Sequence, residues 1–114
     1  MAMGFFKIQQ ISLMLWLLPI VAGAQIIPDR SLGNETSRVL PDNFGNLPID
    51  RIEGGALRGQ NLFHSFQEFS VNNNRGAYFS SPSGIQNIIT RITGNNRSEI
   101  WGTLGVLGNS NLFF

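Results

Sequence analysis

Cysteine is absent from all 114 residues of the chain, so neither a disulfide scaffold nor a thiolate metal site is open to it. Lysine occurs once, as Lys7, and from Gln25 onward seven Arg stand against seven Asp and Glu. That stretch has no net charge, which excludes nucleic-acid binding through counterion release. Histidine also occurs once, as His64, set among Phe residues. A lone His in such company is expected to be a core or turn residue rather than a catalytic base. No Gly-x-Ser-x-Gly elbow surrounds any Ser, and there is no Cys nucleophile. The Gly102, Gly105 and Gly108 series lacks the Lys and Ser/Thr of a phosphate loop. The carboxylates Asp29, Glu35, Asp42, Asp50, Glu53, Glu68 and Glu99 show no spacing that singles out a pair. The composition therefore predicts no enzyme, no catalytic residue, no metal site and no cofactor.

The apolar content is concentrated at the amino terminus. Lys7 precedes an almost wholly apolar run from Ile11 to Val21, which Ala22-Gly23-Ala24 closes with small residues. Basic start, short apolar centre and small-x-small end make a secretory signal peptide over residues 1–24. Cleavage is expected between Ala24 and Gln25, with Ala22 as the second small residue. The run is shorter than the roughly 20 residues a membrane helix needs, and Pro19 interrupts it.

The 90 residues from Gln25 to Phe114 form the second unit and carry 12 Asn, 11 Gly and seven Phe. Pro28, Pro41 and Pro48 predict short extended pieces, with turns at Pro41-Asp42-Asn43 and Phe44-Gly45-Asn46. Gly54-Gly55 and Gly59 mark a tight chain reversal. Leu62, Phe66 and Phe69 fall at i, i+4 and i+7, as on one helical face, whereas Phe69 and Val71 suit a strand. A short helical turn leading into a strand satisfies both patterns. Beyond Asn72, Asn-, Ser- and Gly-rich turns separate segments rich in β-branched and aromatic residues: 77–79, 88–93, 100–104 and 112–114. Short strands at this spacing predict an all-β protein. Ile88, Ile100 and Leu112 recur every 12 residues, as do Ile89, Trp101 and Phe113. Stacked in register, such repeats build apolar ladders. A period of 12 is short for a solenoid turn, so the offset marks either successive faces of one turn or a meander.

Three stretches carry a resemblance: Gly54 to Val71, which contains Asn-Leu-Phe-His-Ser-Phe, Asn87-Ile-Ile-Thr-Arg-Ile-Thr-Gly94, and Ser98-Glu-Ile-Trp-Gly102. Together they closely resemble the amino-terminal two-partner secretion domain of filamentous haemagglutinin-like exoproteins, over essentially all of 25–114. The Arg58-to-Phe66 string looks like that of cyanobacterial members. The resemblance implies a right-handed parallel β-helix with an amino-terminal cap. It also implies export to the periplasm, recognition there by the periplasmic domains of a dedicated outer-membrane β-barrel transporter, and secretion of an adhesin-type passenger to the cell surface. Under it Asn61, Leu62, Phe63, His64, Phe66 and Phe69 are either the recognition segment or the packed cap, and their density of Phe favours packing. The Asn-Pro-Asn-Gly motif of the family has no counterpart here, where the chain reads Asn111-Leu112-Phe113-Phe114 and stops. A truncated product is the expectation, with a bare apolar end that self-associates. The alternative is a free-standing adhesin or carbohydrate-binding β-domain, with Tyr78 and Trp101 as stacking residues.

Overall fold

The computed structural model describes residues 25–114. Among them the chain is all-β, with one 3-10 turn at Gly33–Glu35. Its strands are β1 (Ile26–Pro28), β2 (Ser37–Phe44), β3 (Leu47–Gly54), β4 (Ala56–Arg58), β5 (Asn61–Phe69), β6 (Gly76–Ser80), β7 (Asn87–Ile92), β8 (Thr103–Leu107) and β9 (Asn111–Phe113).

They form two open, mixed sheets. In the first, β1 and β4 both pair antiparallel with β5, which is followed in parallel by β7 and β9. In the second, the β2–β3 hairpin is followed in parallel by β6 and β8. From β5 onward the chain alternates between the sheets, so each parallel partner lies one full circuit further along. Leu62 pairs with Ile88 and Ile88 with Leu112, steps of 26 and 24 residues. Ile52 pairs with Phe79 and Phe79 with Val106, two steps of 27.

Strand alternation builds the core. Leu62, His64 and Phe66 of β5 point inward, as do Ile88 and Thr90 of β7, and they meet Ile52, Ala77 and Phe79 of the second sheet. Phe66, Phe69 and Phe79 form the aromatic centre. Phe69 and Phe79 are stacked at 5.7 Å between ring centroids, and Phe66 meets Phe69 edge-on at 5.1 Å. Phe114 closes on Phe69 at 5.0 Å.

The second sheet also packs on its outer side. Tyr78 lies over Gly105, where a Cβ would come within 2.7 Å of the ring, and Phe44 stacks on it at 4.9 Å. This small outer cluster helps bury Ile49 and supports a glycine-containing strand, as aromatic cover does elsewhere.

Several expectations are corrected. Residues 61–69 are a single strand with no helical turn. The i, i+4, i+7 pattern has another origin: Glu68 opposes Ile27 and Phe66 opposes Pro28, leaving Gln67 as an extra residue. This β-bulge changes the phase of alternation, so that Phe69 points inward after Phe66. Pro41-Asp42-Asn43 is not a turn but the middle of β2, an edge strand where a missing N–H is tolerated. The turn at Phe44-Gly45-Asn46 is present, with Gly45 in the left-handed region at φ 61°. Gly54 and Gly55 link two strands, and the reversal falls at Gly59-Gln60 between β4 and β5. The strand expected at 100–104 begins only at Thr103, and Ile100 makes one isolated parallel bridge to Val71. Gly102 is held so closely that a Cβ would lie 2.2 Å from the carbonyl oxygens of Asn72 and Arg75. That close approach replaces a ladder. Ile88 and Ile89 stack in register on Leu112 and Phe113, while Ile100 and Trp101 lie outside both sheets. The 12-residue offset is therefore half of a 24-residue circuit.

Candidate functional site

The outer face of the first sheet carries the residues of β5 and β7 that do not enter the core, arranged in three rows. Asn61, Asn87 and Asn111 form the first, with Asn87 Nδ2 donating to Asn61 Oδ1 at 3.1 Å and Asn111 Nδ2 to Asn87 Oδ1 at 3.3 Å. Phe63, Ile89 and Phe113 form the second, with Ala56 opposite Phe63 on the other side. Ser65 and Arg91 form the third.

Sequence alternation thus divides the six residues singled out in β5. Leu62, His64, Phe66 and Phe69 are buried, whereas Asn61 and Phe63 face outward and are half-buried. Ala22 and Ala24 of the expected cleavage site lie outside the described residues. Gln25 is exposed, and its carbonyl accepts the Ser70 N–H at 2.9 Å.

His64 is 1% exposed, and its Nδ1 shares a 2.8 Å hydrogen bond with the Ser37 hydroxyl of β2. Its ring meets Phe79 edge-on at 5.2 Å, and Gly55 packs so tightly against it that a Cβ would lie 2.9 Å from Cε1. Burial pushes its pKa down to about 4. The ring is therefore neutral near pH 7 and almost wholly shielded from solvent.

The third row is fixed by a polar network that sequence reasoning missed. Burial would push the Asp29 carboxyl upward, yet hydrogen bonds from Thr93, Ser31 and Ser65 hold it well below the usual carboxylate range. Thr93 Oγ1 and Ser65 Oγ donate to Oδ2 at 2.6 and 2.7 Å, and the Ser31 N–H and hydroxyl donate to Oδ1 at 3.0 and 2.7 Å. Arg91 donates from Nε to Ser65 Oγ at 3.1 Å and from Nη2 to Ser31 Oγ at 2.6 Å. The network staples the segment after β1 across β5 and β7. The only signal in the sequence was the outward phase of Ser65 and Arg91, because the crossing of residues 29–31 is a tertiary event.

A groove of about 480 Å³ lies over the Phe63 and Ile89 part of the second row, and Ala56 and His64 also line it. Phe63 and Ile89 floor it, Leu32 forms a wall, and Arg58 and Arg91 stand at its rim. Arg58 is held by Glu35 in a bidentate pair at 3.0 and 2.8 Å.

The two aromatic residues considered for stacking lie apart in function. Tyr78 is already engaged by Phe44 and Gly105, whereas Trp101 is 65% exposed. Among the described residues no group of three or more His, Asp or Glu comes together as a metal cluster.

The model of the TPS (two-partner secretion) secretion domain matches residues 24–114. The chain belongs to this family. No curated protein and no solved structure matches it. A TPS domain is a secretion-targeting module rather than a catalytic one. For this TPS domain, the family match therefore assigns targeting of a large exoprotein for secretion. It spans every strand described here.

Proposed function

We propose that residues 25–114 are the segment by which a dedicated outer-membrane β-barrel transporter selects this exoprotein in the periplasm. An export signal over residues 1–24, cut between Ala24 and Gln25, carries the chain through the inner membrane first. The family match over residues 24–114 carries this reading. Two physical features support it. A chain without Cys folds after translocation with no covalent rearrangement. The parallel circuits of 24 to 27 residues suit the start of a right-handed parallel β-helix, whose further turns an adhesin-type passenger would supply. In that architecture β1, β4 and the β2–β3 hairpin, all antiparallel, serve as the amino-terminal cap.

Competition tests the reading. The chain is produced in excess in the periplasm of cells that secrete a longer exoprotein through the same transporter. Secretion of the longer protein should fall as the chain accumulates. Unchanged secretion at high periplasmic levels would refute recognition by that transporter.

A further inference from the structure

Three features of the groove on the first sheet point to one kind of occupant. The first is an apolar floor that the core does not require. Phe63 and Ile89 floor the groove from outward positions of neighbouring strands, and Phe113, outward on the next strand and 51% exposed, extends the apolar row beyond it. Across four strands, with Ala56 included, the row runs for about 14 Å at the usual strand spacing.

The second feature is charge. No carboxylate lines the groove, and its two charged residues are Arg58 and Arg91. Arg58 is met by Glu35. Arg91 is met only by the neutral hydroxyls of Ser31 and Ser65. The carboxylate nearest to it through those hydroxyls, Asp29, is itself satisfied by four donors from Ser31, Ser65 and Thr93. The guanidinium Nη1 has no partner among the described residues, so Arg91 has donors left for a carboxylate.

The third is rigidity. Ser65 and Ser31 fix the Arg91 head group, Ile89 is paired on both sides, and Arg91 is paired with Ser65 of β5. A site held this way loses little conformational entropy on binding.

We infer that the Phe63–Ile89–Phe113 row, with Arg91 at its edge, seats an extended acidic–apolar segment of the transporter's periplasmic domains. Same-face side chains of an extended segment recur at about 6.8 Å. Three of them span the row while a carboxylate from the same segment reaches Arg91. This placement rests on the reading that the transporter recognises this domain.

Purified 25–114 and the purified periplasmic domains of its transporter are the reagents. Affinity is measured for the wild type and for Ile89→Thr, Arg91→Gln and Arg30→Gln. The first variant keeps a β-branched residue but adds a hydroxyl to the floor, and the second removes the charge. Arg30 is an exposed residue that does not line the groove, so the third is a charge control. Thermal melts accompany each measurement, and Arg91→Lys is added because it keeps charge at the rim if Arg91→Gln lowers the melting temperature. The expected result is binding by the wild type and the control, at least tenfold weaker binding by Ile89→Thr and Arg91→Gln, and partial recovery in Arg91→Lys. Binding by all variants within twofold of wild type would overturn the groove as the seat and leave transporter recognition standing. An absence of wild-type binding would overturn both.

Discussion

His64 shows how a residue that invites a catalytic reading is disarmed by its surroundings. It is hydrogen-bonded to Ser37, enclosed by Phe66, Phe79 and Gly55, and held neutral by burial. Its folded pKa of about 4 lies below the unfolded value of about 6.5. As the pH falls, the unfolded chain takes up the proton first. Stability is therefore complete above about pH 6.5 and is lost progressively toward pH 4, by roughly 3 kcal/mol at most. Asp29 acts in a lower window, because a depressed carboxyl withdraws its stabilisation only below about pH 4. Melting temperatures of 25–114 should fall between pH 7 and 4.5, and His64→Leu should flatten that slope. An unchanged slope in the variant would assign the pH dependence to other groups. Phe66, fully buried at the aromatic centre, should cost about 3–5 kcal/mol when changed to Ala, measured by denaturant unfolding. The buried setting of His64 was legible from its Phe-rich neighbourhood. Its hydrogen bond to Ser37 was not, because the two residues are 27 positions apart.

Strand β5 carries the geometry of both sheets' contact, and its bulge decides which residues reach the core. Deleting Gln67 removes the extra residue and leaves simple alternation with Phe66 inward, Glu68 outward and Phe69 inward. A cooperative melt and retained near-ultraviolet circular dichroism are the expected outcome, and loss of both would show that the bulge does more than set the phase of Phe69. Gly55 is the second constraint on this strand. It has φ +86°, and a Cβ there would lie 2.7 Å from the Phe63 carbonyl oxygen. Gly55→Ala should destabilise the fold by about 1–3 kcal/mol in denaturant titration. At this scale β6, β7 and β9 were legible from β-branched and aromatic runs between Asn- and Gly-rich turns. The bulge was not, because alternation with one inserted residue reproduces helical spacing over eight positions. Nor was the Ile100–Trp101 segment, where Gly102 lies between two carbonyl groups and displaces the ladder.

The two ends of the stack differ in how their edges are guarded. Edge strand β2 carries Pro41 and the charged Arg38 and Asp42, features that discourage strand addition. Strands β8 and β9 hold neither charge nor Pro, and Ile100, Trp101, Phe113 and Phe114 are exposed around them. Purified 25–114 should therefore self-associate in sedimentation velocity through the β8–β9 end, and a monomer at high micromolar concentration would contradict this. The all-β class and the secretion-domain character were legible in the local strings around Asn61–Phe66 and Asn87–Gly94. The outer groove was not, because its floor joins Phe63 and Ile89, which only the full-circuit register brings together. Secretion with and without the transporter tests the central claim most directly. The 114-residue chain is expressed in a bacterium with two membranes, alone or with its outer-membrane transporter. Transporter-dependent appearance of the processed chain in the medium, beginning at Gln25, is the predicted result. Retention in the periplasm with the transporter present, or equal release without it, would contradict a secretion-targeting role.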